Sequence, residues 1–366
     1  MTKRWVKIHD KNRSIFMKIY KTYFYNTSKA EKIFTLAIFL ILWFVLVMIS
    51  GLKPVGFDRD SKTYVAFLSY NPSEYNLLVF EPLHWGLVYL NNILFNANPH
   101  TFFALYAVIF LTISLYAIYK DSSFPLISLF IFVLLFFPLY GLTQIRQGVA
   151  VALLLYSIKD LSKDRIKHFF IKAIIATGFH YSAPILFSVL FISRKMKLPV
   201  LVVIILPIFC IVLGKVLPIL SMLYYLADLI GGPFGYKLNH YLFIMEQFGE
   251  KHPFNVTNPF NRYTLFIFGC GVIFGFLYKK RMDTHKSILF NLLFLSLSVL
   301  FLFLQLPILS NRLFFPLSSV SIFIFPYIIY KTKPRIVAVT LLVLLILALS
   351  FNMYIRDDLF NFDLIL

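Results

Sequence analysis

Charge is scarce in this sequence, and acidic charge scarcest. Only 14% of its 366 residues are charged, and 16 Asp and Glu stand against 35 Lys and Arg. A soluble domain carries about 25% charge, so an ordinary water-soluble fold is excluded. Cysteine is nearly missing. Cys210 and Cys270 each lie inside an apolar run, which argues against a disulfide framework and leaves both as small buried hydrophobes. No glycine-rich phosphate loop, zinc-ligand spacing or Ser-x-x-Lys motif occurs, so soluble nucleotide and metallohydrolase chemistry lack support. The apolar stretches do not alternate with polar residues either, which excludes a membrane β-barrel.

What is present is oil. Apolar residues make up 60% of the chain, and mean hydropathy is +0.80. Windows such as "IFTLAIFLILWFVLVMIS" and "IVAVTLLVLLILALSF" approach the roughly 20 apolar residues that cross a bilayer as helix. The fold class is therefore all-α, a polytopic membrane helical bundle. Clear runs fall at 33–51, 101–119, 124–140, 145–158, 199–217, 263–278, 286–304, 312–330 and 335–353. The first follows a basic tail and lacks a small-residue cleavage site, so it reads as an uncleaved span.

Two stretches are ambiguous, and charge parity decides them. Lys and Arg concentrate in the tail 1–32 and at 159–167, 194–197, 279–286 and 331–335, which the positive-inside rule assigns to the cytoplasm. For 159–167 to lie inside, 77–95 must not span; it reads as an amphipathic juxtamembrane helix on the outer surface. For 159–167 and 194–197 both to lie inside, 168–193 must enter and return as two half-helices meeting near His180. This gives about 11 spanning or half-spanning helices at the usual span length. One transmembrane domain covers 33–353, with a first outer loop at 52–100, a long outer loop at 218–262 and a short outer tail at 354–366. The inner side then holds 25 of the 35 basic residues and six of the 16 acids, while the outer side balances ten against ten. That balance explains the net charge of +19 without nucleic acid as a partner.

The same topology sends scattered polar residues to one side. Asp58, Asp60, Glu74 and Glu81 fall in the first outer loop, Arg146 opens a span beside Gln144 and Gln147, His180 tips the broken hairpin, and Arg312 opens another span. Each has a plainer reading, such as an arginine snorkelling to lipid phosphate or a histidine packed in a core. Together they suit anionic chemistry. Arg146 and Arg312 can grip diphosphate oxygens as bidentate forks, and Asp60, Glu81 or His180 can take a proton from an attacking hydroxyl, Asp60 slightly preferred. Nothing in the sequence calls for a metal or another cofactor.

Four stretches in this order carry a family resemblance. They are "DSKTYVAF" (Asp60, Tyr64), "EPLHWGLVYLNN" (Glu81), the long "QIRQGVAVALLLY" running to "GFHYSAPI" (Arg146, Gln147, His180, Ser182), and "NRLFFPLSSVSIFIFPYIIY" (Arg312). Together they resemble the EpsG-like family of Wzy-type polysaccharide polymerases. The resemblance implies a GT-C-like membrane glycosyltransferase of the bacterial inner membrane. Such an enzyme joins undecaprenyl-diphosphate-linked repeat units, donor and acceptor, at the periplasmic face. It also implies Gln147 beside the two arginines at the diphosphate, with Asp58, Tyr64 and Ser182 as secondary site residues. "DRD" stands where members carry a single acid after glycine, so Asp58 and Asp60 both stay open. A chain-length regulator is a candidate partner, along with membrane lipids. The rival readings are an O-antigen ligase and a flippase or transporter for lipid-linked oligosaccharide.

Overall fold

A computed structural model of the chain describes residues 29–69, 81–232, 235–236, 238–240, 242–243, 259–280, 282–352, 354 and 360. The basic tail as far as residue 28, Glu74, all of 244–258 and most of the C-terminal tail lie outside these. Among the described residues the regular structure is helical, apart from one isolated antiparallel bridge between Asp58 and Phe360. This is the all-α membrane bundle that the apolar runs predict.

The chain divides after Val45 into two units. The split falls inside α1 (Lys29–Leu52), whose core 18-residue stretch is apolar and only 17% buried, as suits a helix bathed in lipid. The second unit, from Leu46, holds everything else described. Its helices are α2 (Ser61–Leu68), α3 (Pro82–Phe95), α4 (Pro99–Asp121) and α5 (Pro125–Ile131), then α6 (Ile145–Ser162), α7 (Ile166–Phe179) and α8 (Ala183–Lys195). After these come α9 (Val200–Val216), α10 (Ile219–Ile230), α11 (Arg262–Tyr278), α12 (Thr284–Leu302), α13 (Pro307–Ser318), α14 (Ser321–Lys331) and α15 (Arg335–Phe351).

By length and apolarity α1, α4 and α12 suffice to cross a membrane; α9 with α10 and α13 with α14 pass only as bent pairs. The remaining helices are shorter or more polar. The 168–193 stretch is a hairpin, as parity requires. α7 and α8 have 14 and 13 residues, and His180 stands between them in extended conformation. Two differences from the sequence reading matter. The run at 312–330 is not opened by Arg312: helix α13 begins earlier, at Pro307, and the chain bends by 46° before α14. Arg312 therefore sits in the second turn. The long outer segment is also not loop throughout, because α10 occupies Ile219–Ile230 and turns 83° away from α9.

α3 lies across one end of the bundle. Its start is tied to α6, and its far end to the start of α4, where Asn91 donates to the Asn98 carbonyl (3.1 Å) and accepts from Thr101 (2.7 Å). Its inward face carries His84, Trp85 and Val88, all buried; its outward face exposes Tyr89, Ile93 and Leu94. That division is the amphipathic pattern read for 77–95. Gly178 of α7 allows the crossing, since a Cβ there would come within 2.7 Å of Leu83.

Ion pairs mark the two ends. At one end lie Lys53–Asp58 and Arg146–Glu81. At the other, where α4, α6 and α8 finish and α7 and α12 begin, lie Lys159–Asp121, Lys172–Asp160, Arg194–Asp164 and Lys286–Asp283.

Candidate functional site

The site is assembled on a stretch where α5 unwinds. Beyond Ile131 the helix continues through two wide π-type segments, Phe132–Phe136 and Pro138–Thr143. Pro138 lacks an N–H and disturbs the ladder, and the Gln144 amide reaches back five residues to the Leu139 carbonyl (2.7 Å). Wide turns free carbonyls from the helix, often at functional positions. Here side chains take them up. Ser50 donates to the Gly141 carbonyl (3.1 Å), Lys53 to that of Leu142, Ser350 to Leu134 (2.9 Å) and Tyr354 to Leu135. The ends of α1 and α15 are thus fastened to the turn that launches α6. Gly148 is required there, because a Cβ would collide with the Tyr140 carbonyl.

Lys53 is the residue that sequence reasoning passed over. It is buried, pairs with Asp58 at 2.6 Å, and stands 4.3 Å from the centre of the Phe103 ring. Burial pulls its pKa down and Asp58 pushes back. Asp58 also accepts from the Asp60 and Ser61 amides, both at 3.0 Å, and its backbone bridges Phe360, whose ring stacks on Phe57 at 5.0 Å. Asp58 is therefore a structural acid that shapes the loop. Its neighbour carries the reactive prospect. The Asp60 carboxyl accepts no hydrogen bond from any described residue. Burial raises its pKa above the usual carboxylate range, with the Arg312 guanidinium and, less, Arg146 acting against that rise.

Arg146, second residue of α6, forms an ion pair with Glu81, which is buried and caps the start of α3. Glu81 also accepts from the Tyr181 amide at the hairpin tip (3.3 Å). The guanidinium faces the rings of Tyr64 (5.6 Å) and Phe67 (5.5 Å). Its buried Nε has no partner among the described residues. Losing one member of such a pair strands a buried charge, at about 3–5 kcal/mol.

Gln147 joins three elements. Its amide nitrogen donates to Ser182 Oγ (3.2 Å) and to the Arg312 carbonyl (2.8 Å). Those donors are spent on the protein, so the geometry makes Gln147 a strap between α6, the hairpin and α13, in place of a diphosphate ligand. The Ser182 amide donates to His180 Nδ1 (3.2 Å), with the Ser182 hydroxyl 2.7 Å from the same nitrogen. An Nδ1 that accepts an amide proton leaves the neutral ring's proton on Nε2. That tautomer gives His180 a donor at Nε2.

The structure thus gathers Asp58, Asp60, Tyr64, Glu81, Arg146, Gln147, His180, Ser182 and Arg312 at one end of the bundle. α2, α3, α6 and α8 all begin there, adding the partial positive charge of helix starts. Among the described residues no three His, Cys, Asp or Glu side chains converge as metal ligands. A family model described as the EpsG family matches residues 36–364, nearly the whole chain. Neither the curated proteins nor the solved structures give a match.

Proposed function

Because the chain belongs to the EpsG family, a family related to the Wzy-type polymerases, we propose that it is a polysaccharide polymerase, a membrane glycosyltransferase that joins repeat units carried on undecaprenyl diphosphate. The observation that carries the reading is the pairing of one uncommitted half-buried carboxylate, Asp60, with two guanidiniums in a cluster of helix starts. Diphosphate needs positive donors; a sugar hydroxyl needs a base.

In the proposed reaction Asp60 accepts the proton of an acceptor hydroxyl as its oxygen attacks the anomeric carbon of the donor. The bond from that carbon to the lipid diphosphate breaks, and the diphosphate leaves with the bonding pair. Arg312 and the spare Nε donor of Arg146 stabilise the charge that develops, which is often the largest catalytic term. His180 donates from Nε2 to a sugar or phosphate oxygen. Glu81 and Gln147 hold the arginines in register, and Tyr64 fixes the plane of Arg146.

The site faces the periplasm in this reading, because the opposite end carries the basic excess that the positive-inside rule keeps in the cytoplasm. A bacterial inner-membrane location follows from the same rule and from the lipid carrier. The partners would be the two lipid-linked glycans, bilayer lipids and a regulator of chain length.

A deletion strain tests this. Single repeat units on the cell surface are the expected result. Polymer retained on its carrier lipid would instead make the protein a ligase, and repeat units trapped on the cytoplasmic leaflet would make it a flippase.

A further inference from the structure

The helix α10 has three faces, and an ordinary loop helix has two. One face packs inward: Ile219 and Ala227 are buried, and Ile219 belongs to an apolar cluster with Leu306 that takes in Leu223, Ile308 and Leu309. A second face is apolar yet open. Met222, Tyr225, Leu226 and Leu229 recur at helical spacing, with Tyr225 73% and Leu229 71% exposed. A third, narrow face holds exposed Ser221 and Asp228. A helix in water would not present the second face. A spanning helix would not need the third.

The open stripe continues one that already meets lipid. Along α9 the exposed residues Leu201, Ile205, Ile208 and Val212 form the outward face of a membrane span. At Leu217 and Pro218 the chain turns through 83°, and the apolar exposure resumes on α10. Lys215, exposed just before the bend, is placed to snorkel to phosphate headgroups there. Tyr225 suits the same boundary, with an apolar ring and a polar tip.

We propose that α10 is an interfacial helix. It lies in the plane of the bilayer at the headgroup–acyl boundary, with Met222, Tyr225, Leu226 and Leu229 on the acyl chains and Ser221 and Asp228 in water. Its occupant is lipid. Because its inner face rests on Leu306, Ile308 and Leu309 at the start of α13, the bilayer surface becomes a support for the helix that carries Arg312. The membrane location alone supports this; the polymerase reading is not needed.

Spin labelling of the full chain in phosphatidylethanolamine–phosphatidylglycerol vesicles provides the test. In a Cys210→Ala, Cys270→Ala background, nitroxides are placed by Tyr225→Cys, Leu229→Cys, Ser221→Cys and Asp228→Cys. The labels at 225 and 229 are expected to be relaxed by oxygen more than by a water-soluble nickel chelate, and those at 221 and 228 the reverse. Should Leu229→Cys fail to reconstitute, Met222→Cys reports the same face. Nickel accessibility at 225 and 229 equal to that at 221 and 228 would overturn the proposal. So would dipolar broadening between labels at 225, because the stripe would then be covered by a second copy of the chain. None of these readouts depends on glycan synthesis, so the result stands whether or not the polymerase reading does.

Discussion

The two ends of the bundle use charge differently. At the end holding Asp60, the paired residues are sunk in the protein. The Lys53 and Asp58 side chains are 2% and 0% exposed, and Glu81 is 1% exposed beside Arg146. At the other end the cations outnumber their acids and exposure is uneven: Asp164, paired with Arg194, is 77% exposed, while Asp121 and Asp160, paired with Lys159 and Lys172, are 2% and 9% exposed. Burying a charge is costly unless other gains offset it, while surface pairs contribute about 0–1 kcal/mol. Both ends bury charge; what sets the first apart is Asp60, a half-buried acid that accepts no hydrogen bond from a described residue while two guanidiniums act on it, and this marks it as the candidate site.

Substitutions can break or sharpen that contrast. The largest effect is expected from Arg146→Ala, which should end chain extension and strand Glu81, lowering stability by about 3–5 kcal/mol. Thermal unfolding in detergent measures the second loss, and adding Glu81→Gln should recover stability but not polymer. Lys53→Ala should cost about as much by stranding Asp58, again about 3–5 kcal/mol, with much of it restored by Asp58→Asn. Gln147→Ala removes two donors and should cost about 1–3 kcal/mol, while shortening the glycan ladder through misplacement of Arg312. Smallest is Arg194→Ala at the basic end: at most about 1 kcal/mol, with the ladder unchanged. A large loss of chain length from Arg194→Ala would erase the distinction between the ends.

Much of this was legible in the sequence for simple physical reasons. Twenty-odd apolar residues force a span, and basic clusters force parity, so the hairpin at His180 and the surface helix at 82–95 were readable without coordinates. Arg146, Glu81, His180 and Arg312 stood out because ionic groups near apolar runs are rare. Other features were hidden because they are tertiary. Lys53 looks like a charge following α1, and only the fold reveals its burial on Phe103, Asp58 and the Leu142 carbonyl. The wide turns of α5 depend on side chains some 90 to 220 residues away that take up the freed carbonyls. Asp58 and Asp60 could not be ranked from "DRD" alone; the Lys53 pair and two amide bonds engage the first and leave the second open. The bend after α13 and the helix at 219–230 were missed because apolar composition reports neither a kink nor an in-plane direction.

Asp60 is where the account can be tested most directly. Its folded pKa is raised, so the folded chain holds that proton more tightly than the unfolded chain does. Its contribution to stability is therefore favourable in acid and is lost as pH rises through the folded value. At neutral pH the half-buried carboxylate is a burden, and Asp60→Asn should raise the melting temperature slightly while abolishing the base. Polymerisation by the wild type should fall on acidification at a pH above the ordinary carboxylate value of 3.8. The decisive measurement is the surface glycan ladder of a deletion strain expressing Asp60→Asn at wild-type membrane levels. Single repeat units with an undiminished melting temperature are the predicted result; a normal long-chain ladder would contradict the assignment of this end of the bundle as the catalytic site.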